Sequence, residues 1–319
     1  MTTKSKILEI LDKKPGIYIS GEEIAAALSI SRTAVWKAVR SLQADGYFIS
    51  AALNKGYRLE PSDILSAEKI RSLLHPKFSE IDIIIKKSTE STNLDAKNLA
   101  SAGAKHGTVI LADEQTAGRG RRGRDFYSPK GAGVYLSVIG RLGIYFSDAV
   151  LLTTAAGVAV CKSIEAVSDF EPKIKWVNDI FLNGKKIGGI GTEAVSDVES
   201  GIIESVIVGV GINFKTQEFP ENLQTIAGSL FEKDFPLTRN EFAAVLINNL
   251  LEIFENIPEN KYIDEYRSRS LVIGKEIIFM ENNTWNTAKA IAIDDYGGLI
   301  VEVKGKRRTL TSGEVSIRV

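Results

Sequence analysis

Cysteine is almost absent. Cys161 stands alone in 319 residues, so no internal disulfide can staple the fold. It falls in the apolar run AVLLTTAAGVAVCKSI, where a small buried residue is expected rather than a reactive thiol. Histidine is nearly as scarce: His75 and His106 stand apart in polar stretches, without the spacing of a zinc site and without a nucleophile beside them. No GxxxxGK[ST] phosphate loop occurs. Net charge is missing as well. Forty basic and forty acidic side chains cancel to +0, which excludes a generic polyanion binder and leaves any nucleic-acid contact to a local patch. No stretch approaches eighteen uninterrupted apolar residues, and MTTKSKILEILDKK has no basic segment followed by an apolar one, so the expectation is a cytoplasmic protein without a membrane span.

What is present is an ordinary globular composition, 44% hydrophobic and 25% charged, at a length that calls for two or three domains. Residues 1–62 read as short helices and a hairpin. KSKILEILDK puts Ile7, Leu8 and Leu11 on one face, and SGEEIAAALSI starts at a Ser20 cap and turns Ile24, Leu28 and Ile30 inward. SRTAVWKAVRSLQADGY starts at a Ser31 cap, carries Val35, Val39 and Leu42 as its stripe, and stops at Gly46. A hairpin turning at Asn54-Lys55-Gly56 follows, and the whole is a winged helix-turn-helix. Its third helix would read a major groove with Ser31, Arg32, Thr33, Trp36, Lys37 and Arg40. Nine basic residues against six acidic ones through residue 60 are compatible with phosphate contact. A three-helix protein-interaction module is the alternative.

Residues 63–270 alternate strands and helices. IDIIIKK, GTVILADE, GVYLSVIG and SVIVGVGINF are strands. STNLDAKNLASAG, SDAVLLTTAAGVAVCKSIEAVS and RNEFAAVLINNLLEIFENI are helices. IKWVNDIFLNGKKIGGIGTEAV is a strand pair around the two-residue turn Asn183-Gly184. Adjacent hairpin strands mean a mixed sheet with helices packed on it, α+β rather than doubly wound. Residues 271–319 are short strands punctuated at Asn282-Asn283, Tyr296-Gly297-Gly298 and Lys304-Gly305, a small β-barrel or sandwich of SH3-like size.

The chemistry concentrates in GRGRRGR, residues 118–124. Gly118, Gly120 and Gly123 fit GxGxxG, but a dinucleotide turn needs a helix next, and RDFYSPKGAGVYL supplies proline and glycines instead. An arginine-rich nucleic-acid tract belongs in a basic tail, whereas this segment sits between two strands. A merely solvated loop leaves the alternation of glycine with arginine unexplained. Glycine lets backbone N–H groups approach a ligand, and arginine offers forked donors to carboxylate and phosphate. Interleaved, they describe a lid that orders over a small anion and excludes water. Other pieces accompany it. Ser91, Thr92 and Asn93 are either helix caps or the polar wall of a ligand pocket. Lys175, Asn178 and Asp179 mark an abrupt strand end. Lys185 and Lys186 precede Gly188-Gly189, where a lysine can stabilise phosphoryl charge, although Lys185 is equally a surface lysine. GVGIN, residues 209–213, is a strand end whose backbone must lie near something.

In this order, STN, DEQTAGRGRRGRDFYSP, KWVND, KKIGGI and GVGIN resemble the biotin protein ligases. The winged helix makes the chain look like the bifunctional type, ligase plus biotin-operon repressor. The resemblance implies a class II aminoacyl-tRNA synthetase-like ligase domain. It implies that biotin, ATP and Mg2+ give biotinyl-5′-AMP and pyrophosphate, and that biotin then passes to a lysine of the biotin carboxyl carrier protein of acetyl-CoA carboxylase. It also implies operator DNA as a second partner, bound by an adenylate-loaded homodimer. By position, Ser91, Thr92, Asn93 and Gln115 would hold the ureido ring, with Gly118, Arg119, Gly120 and Arg121 over biotin and the acyl phosphate. Lys186 and Arg121 would be catalytic, with Lys186 also among the biotin-binding residues. Arg119, Arg121, Arg124, Phe126, Lys175, Asn178 and Asp179 would face the nucleotide, with no metal ligand assigned. Phe126 stands where the family usually has tryptophan, and Val177 where proline is common, which would loosen a turn. A catalytically silent biotin sensor and a lipoate or octanoate ligase remain alternatives.

Overall fold

The computed structural model describes residues 2–317 except 15, 45, 61–62, 143, 146–148, 197–201, 258–261, 282–283, 312 and 314. Two compact units emerge, Met1–Glu68 and Lys69–Val319. The Asn282-Asn283 turn falls outside the described residues.

In the first unit, helices α1 (Thr3–Asp12), α2 (Gly21–Leu28) and α3 (Arg32–Ala44) enclose Ile7, Leu11, Ile24, Val35, Val39 and Leu42. The serine caps form: Ser20 Oγ accepts from Glu23 N at 3.0 Å and Ser31 Oγ from Ala34 N at 3.1 Å. Strands β1 (Ile49–Ala52) and β2 (Gly56–Leu59) pair antiparallel as the wing. A Cβ at Gly56 would stand 2.1 Å from the Ile19 carbonyl, so only glycine lets the wing pair with that segment. Helix α4 (Ala67–Leu73) follows the wing in the chain.

The second unit is built on an eight-stranded sheet. Its path is β3 (Ile83–Lys86), β4 (Val109–Ala112), β5 (Val134–Gly140), β10 (Ile202–Ile212), β9 (Lys185–Ser196), β8 (Asp179–Leu182) and β7 (Lys173–Lys175), with β6 (Ile144–Tyr145) pairing β10. Among the described strands only β3 and β4 pair in parallel, so the sheet is mixed. Side chains alternate across it and sort the helices. Ile207 of β10 packs with Ala96 and Ala100 of α5 (Thr92–Ser101) on one face. Thr192 of β9, on the other face, meets Thr153 of α6 (Ala149–Glu165) at 2.9 Å. Val206 and Phe254, the latter from α7 (Arg239–Asn256), both crowd the Cβ position of Gly140 on that second face. Cys161 is fully buried in α6, and burial pushes its thiol up to about 12, as a small core residue requires. Helix α7 opens on a capping box of Thr238 and Glu241.

The short helix α8 (Ile263–Ser268) leads into five antiparallel strands ordered β14 (Lys306–Leu310), β13 (Leu299–Val303), β12 (Thr284–Ile293), β11 (Glu276–Glu281), β15 (Val315–Ile317). The Trp176 indole N–H, beside β7, donates to Gly297 O at 2.9 Å, and Arg267 Nε of α8 donates to Ile293 O at 2.8 Å, which ties the small sheet to the end of the larger one and to α8. Helices α4 and α8, with seven and six residues, lack the periodicity that marked the longer ones.

Candidate active site

Four glycines lay the floor of a cleft on the α5 face. Gly209 and Gly211 alternate along β10, and register sets them opposite Gly191 and Gly189 of β9. Period-two spacing puts all four on the same face, where they leave a patch of bare backbone. The close approaches are severe. A Cβ at Gly209 would lie 2.0 Å from Asn93 Oδ1, and one at Gly211 would lie 2.6 Å from the Phe126 ring. This is what the glycine spacing of GVGIN is for.

Above the floor the chain brings together segments far apart in sequence. The cleft, about 970 Å3 counting its open mouth, is lined by Ser91, Thr92, Asn93, Gln115, Arg119, Gly120, Arg121, Arg124, Phe126, Lys175, Asn178, Asp179 and Lys186, every one of them singled out by sequence. Gly118 is the exception. It is buried, and a Cβ there would meet Phe126 O at 2.5 Å and Ser128 Oγ at 2.7 Å, so it packs behind the arginine loop instead of lining the cleft. Trp176, Asp125, Ile190 and Gly313 also line it, although no local sequence pattern marks them.

Helix α5 presents its N-terminus to the cleft. Ser91 holds the N-cap position, yet its hydroxyl makes no capping bond. Gln115 does that work from another segment: its Oε1 accepts from Thr92 N at 2.9 Å and from Thr92 Oγ1 at 3.2 Å, while its Nε2 donates to Ser128 Oγ at 2.9 Å. Asn93 donates to Glu193 Oε1 at 2.9 Å and accepts from the buried Ser137 hydroxyl at 2.7 Å. Neither Ser137 nor Glu193 carried a sequence signal beyond strand alternation.

The arginine loop folds into a narrow turn. Arg119 and Asp125 form an antiparallel bridge, Gly120 N donates to Arg124 O at 2.6 Å, and Phe126 N donates to Gly118 O at 2.8 Å. Arg121–Gly123 make a single 3-10 turn at its tip, with Gly123 at φ +73°. Arg121 reaches Asn178 Oδ1 at 3.5 Å and, at 3.4 Å, the carbonyl of Gly313, between β14 and β15. Phe126 stands edge-on to Tyr135, whose hydroxyl donates to Pro129 O at 3.0 Å. Burial raises the Tyr135 hydroxyl well above the ordinary tyrosine value, so it remains a neutral donor.

At the far end Asp179 sits between two lysines, 2.5 Å from Lys186 Nζ and 3.7 Å from Lys175 Nζ. Asn178 is fixed by its Nδ2 donating to Ile190 O at 2.8 Å. The turn carrying these residues is not loosened by Val177, which is 3% exposed and whose carbonyl accepts from the Tyr266 hydroxyl at 3.0 Å. Lys185, one residue away from Lys186, points to the other side and donates to Gln224 O. Arg119, Arg121, Arg124, Lys175 and Lys186 outnumber Asp125 and Asp179 in the cleft, so it favours an anion carrying more than one charge. Among the described residues no group of three or more His, Cys, Asp or Glu could hold a metal unaided.

In the first unit, the six α3 residues singled out by sequence, Ser31, Arg32, Thr33, Trp36, Lys37 and Arg40, are all exposed. Trp36 is 53% exposed, an unusual position for a tryptophan with no partner in its own core.

Comparison with known proteins gives matches along most of the length. The Biotin/lipoate A/B protein ligase family matches residues 84–213, an HTH domain matches 3–58, and the biotin protein ligase C terminal domain matches 272–318. The bifunctional ligase/repressor BirA of Bacillus subtilis (strain 168) is 35% identical, covering 99% of each chain. BirA of Escherichia coli (strain K12) is 29% identical over 99% of this chain and 98% of its own. The biotin protein ligase from Aquifex aeolicus, solved in complex with biotin and ATP, superposes with a TM-score of 0.64 at 26% identity, covering 74% of this chain and 98% of that one.

Proposed function

The chain belongs to the family of bifunctional ligase/repressors, and we propose that it activates biotin with ATP, transfers it to a lysine of a biotin carboxyl carrier protein, and represses transcription through its winged helix. One observation carries the reading. A hydroxyl–amide cluster suited to a ureido ring and a cationic loop suited to an acyl phosphate share one cleft with Lys186 between glycine-floored strands.

The division of labour follows from position. Ser91, Thr92, Asn93 and Gln115 hold the ureido head. Arg119, Gly120 and Arg121 cover the carboxylate where it meets the α-phosphate. The carboxylate oxygen forms a bond to the α-phosphorus, the α–β phosphoanhydride bond breaks, and pyrophosphate leaves with the electron pair. Such a phosphoryl transfer needs orientation and positive charge more than an acid–base pair. Lys186 and Arg121 supply that charge at the reacting phosphate. Arg124, Phe126, Lys175, Asn178 and Asp179 line the nucleotide end. In the second step the carrier lysine amine bonds to the acyl carbon, AMP departs, and the amine loses a proton. A closed arginine loop protects the anhydride from water between the two steps.

Mg2+ fits this site in a limited way. Asp179 and Asn178 are the side chains that would hold it, and the rest of its shell would come from phosphate and water, as is usual for that ion. When bound, it neutralises phosphate charge. The exposed face of α3 is suited to operator DNA, and an adenylate-bound homodimer supplies the two-fold symmetry of an operator. The functional modules are assigned to 1–62, 63–270 and 271–319, in a cytoplasmic protein.

The test is direct. Incubation of the purified chain with biotin and MgATP should yield biotinyl-5′-AMP by mass spectrometry, and adding a carrier peptide should yield biotinyl-lysine. Adenylate without transfer would reduce the reading to a sensor, and neither product would overturn it.

A further inference from the structure

Four side chains around the head of the cleft form a connected chain: Glu193, Asn93, Ser137 and Thr92. Their protons can be followed one by one. Asn93 Nδ2 faces two acceptors, Glu193 Oε1 at 2.9 Å and Gly191 O at 3.4 Å. Neither can donate, so the amide nitrogen must point that way and Oδ1 must point to Ser137. Ser137 is fully buried on β5, and its single proton goes to Oδ1 at 2.7 Å. The Ser137 and Thr92 hydroxyl oxygens are 2.8 Å apart. With the serine proton already committed, the Thr92 proton turns inward, to Ser137 or to Gln115 Oε1 at 3.2 Å. In both cases Thr92 offers the cleft lone pairs only. Ser91, next to it, has a hydroxyl with no bond inside the protein among the described residues, free to turn its proton outward.

We infer that Ser137 and Glu193 are positioning residues that set the donor–acceptor polarity of the head-group pocket, so that Thr92 accepts an N–H while Ser91 donates to the adjoining carbonyl. An acceptor beside a donor matches the N–H and C=O of a cyclic urea. It mismatches a ring in which that N–H is replaced by an acceptor. The geometry resists relaxation, because Gly209 stands in register between Ser137 and Gly191 and leaves Asn93 a slot with no spare width. A polar chain of this kind, buried at Ser137 and Thr92, is worth most when every member is satisfied. The inference rests on the biotin reading and adds its selectivity.

The experiment compares biotin with two cyclic-carbamate analogues, each carrying a ring oxygen in place of one ureido N–H, by calorimetry. The proteins are the wild type, Ser137→Ala and Glu193→Lys, the second replacing the acceptor for Asn93 Nδ2 by a donor. The wild type should bind biotin about 100-fold more tightly than one of the carbamates, near the top of the range expected when a buried polar group is left without its partner. Both variants should shrink that ratio to roughly tenfold, because Thr92 regains freedom to donate. ATP affinity should stay unchanged, which a general structural defect would not permit. Glu193 is exposed, so its variant folds even if the buried one does not. A wild type that binds biotin with a ratio unchanged in both variants overturns the inference alone. A wild type that binds no biotin overturns the function reading and the inference with it.

Discussion

Gly209→Ala is the sharpest perturbation the cleft offers. The added methyl would sit 2.0 Å from Asn93 Oδ1, 2.8 Å from its Cγ and 3.0 Å from its Nδ2. The backbone cannot yield, since Gly209 pairs with Ser137 on one side and Gly191 on the other in the middle of the sheet. The asparagine must therefore swing away. It loses the 2.7 Å bond from Ser137 and the 2.9 Å bond to Glu193. At about 0.5–1.5 kcal/mol net for each bond, the loss is about 1–3 kcal/mol of pocket organisation. That corresponds to roughly 5- to 150-fold weaker biotin binding. The same lost bonds lower the stability of the fold by about 1–3 kcal/mol, offset in part because replacing glycine lowers unfolded-chain entropy, which favours the native state by about 0.4–1 kcal/mol. Calorimetric titration with biotin, paired with thermal melting, reads both quantities. A dissociation constant within threefold of wild type, at an unchanged melting temperature, would refute the argument that bare backbone at 209 exists to seat Asn93.

Other outcomes follow from single residues. Lys186→Ala should slow pyrophosphate release by about 10²–10³ while biotin affinity changes little, because a charge stabilised only in the transition state is removed; near-normal adenylation would mean that another cation acts. Trp36→Ala should leave the melting temperature of the protein unchanged, since the side chain is 53% exposed, yet weaken operator binding in an anisotropy titration at fixed salt; equal binding would remove α3 as the reader. Partial burial lowers the His106 pKa, and its Nδ1 accepts from Arg141 N at 3.0 Å, which requires the neutral ring. The unfolded chain therefore takes up this proton at higher pH than the native one, so the His106 contribution to stability is full above about 6.5 and declines as pH falls below it. Melting curves from pH 7.5 to 5 should show that decline, and His106→Gln should flatten it; an identical slope in the variant would count against it.

Sequence legibility varied with how local the cause was. Ser20 and Ser31 were readable as caps because a capping bond spans three residues. The Asn183-Gly184 turn was readable because both residues adopt positive φ, a preference written in their types. Ser91 looked like another cap and is not one, because Gln115, more than twenty residues downstream, takes over that task. Gly118 looked like a ligand-facing glycine, since it belongs to the same run as Gly120, but its neighbours Phe126 and Ser128 occupy the space on its open side. Ser137 and Glu193 could not have been found, since each sits in a strand where alternation alone explains it. Gly313 entered the cleft from between β14 and β15, and nothing near it in the chain points there.

Residue type and spacing by themselves determined the parts: helix ends, turn positions, an arginine–glycine loop, a lysine before a glycine pair, and a helix carrying a basic, aromatic face. These are consequences of dihedral preference and periodicity within a few residues. Only the tertiary structure decided which parts share a site and how their protons run. Register between β9 and β10 aligns four glycines into one floor, and chain closure seats Asn93 over Gly209 with Glu193 and Ser137 on either side. The physical reason is that a hydrogen bond's direction depends on every partner within reach at once, and those partners here come from two strands, a helix and the segment that carries Gln115.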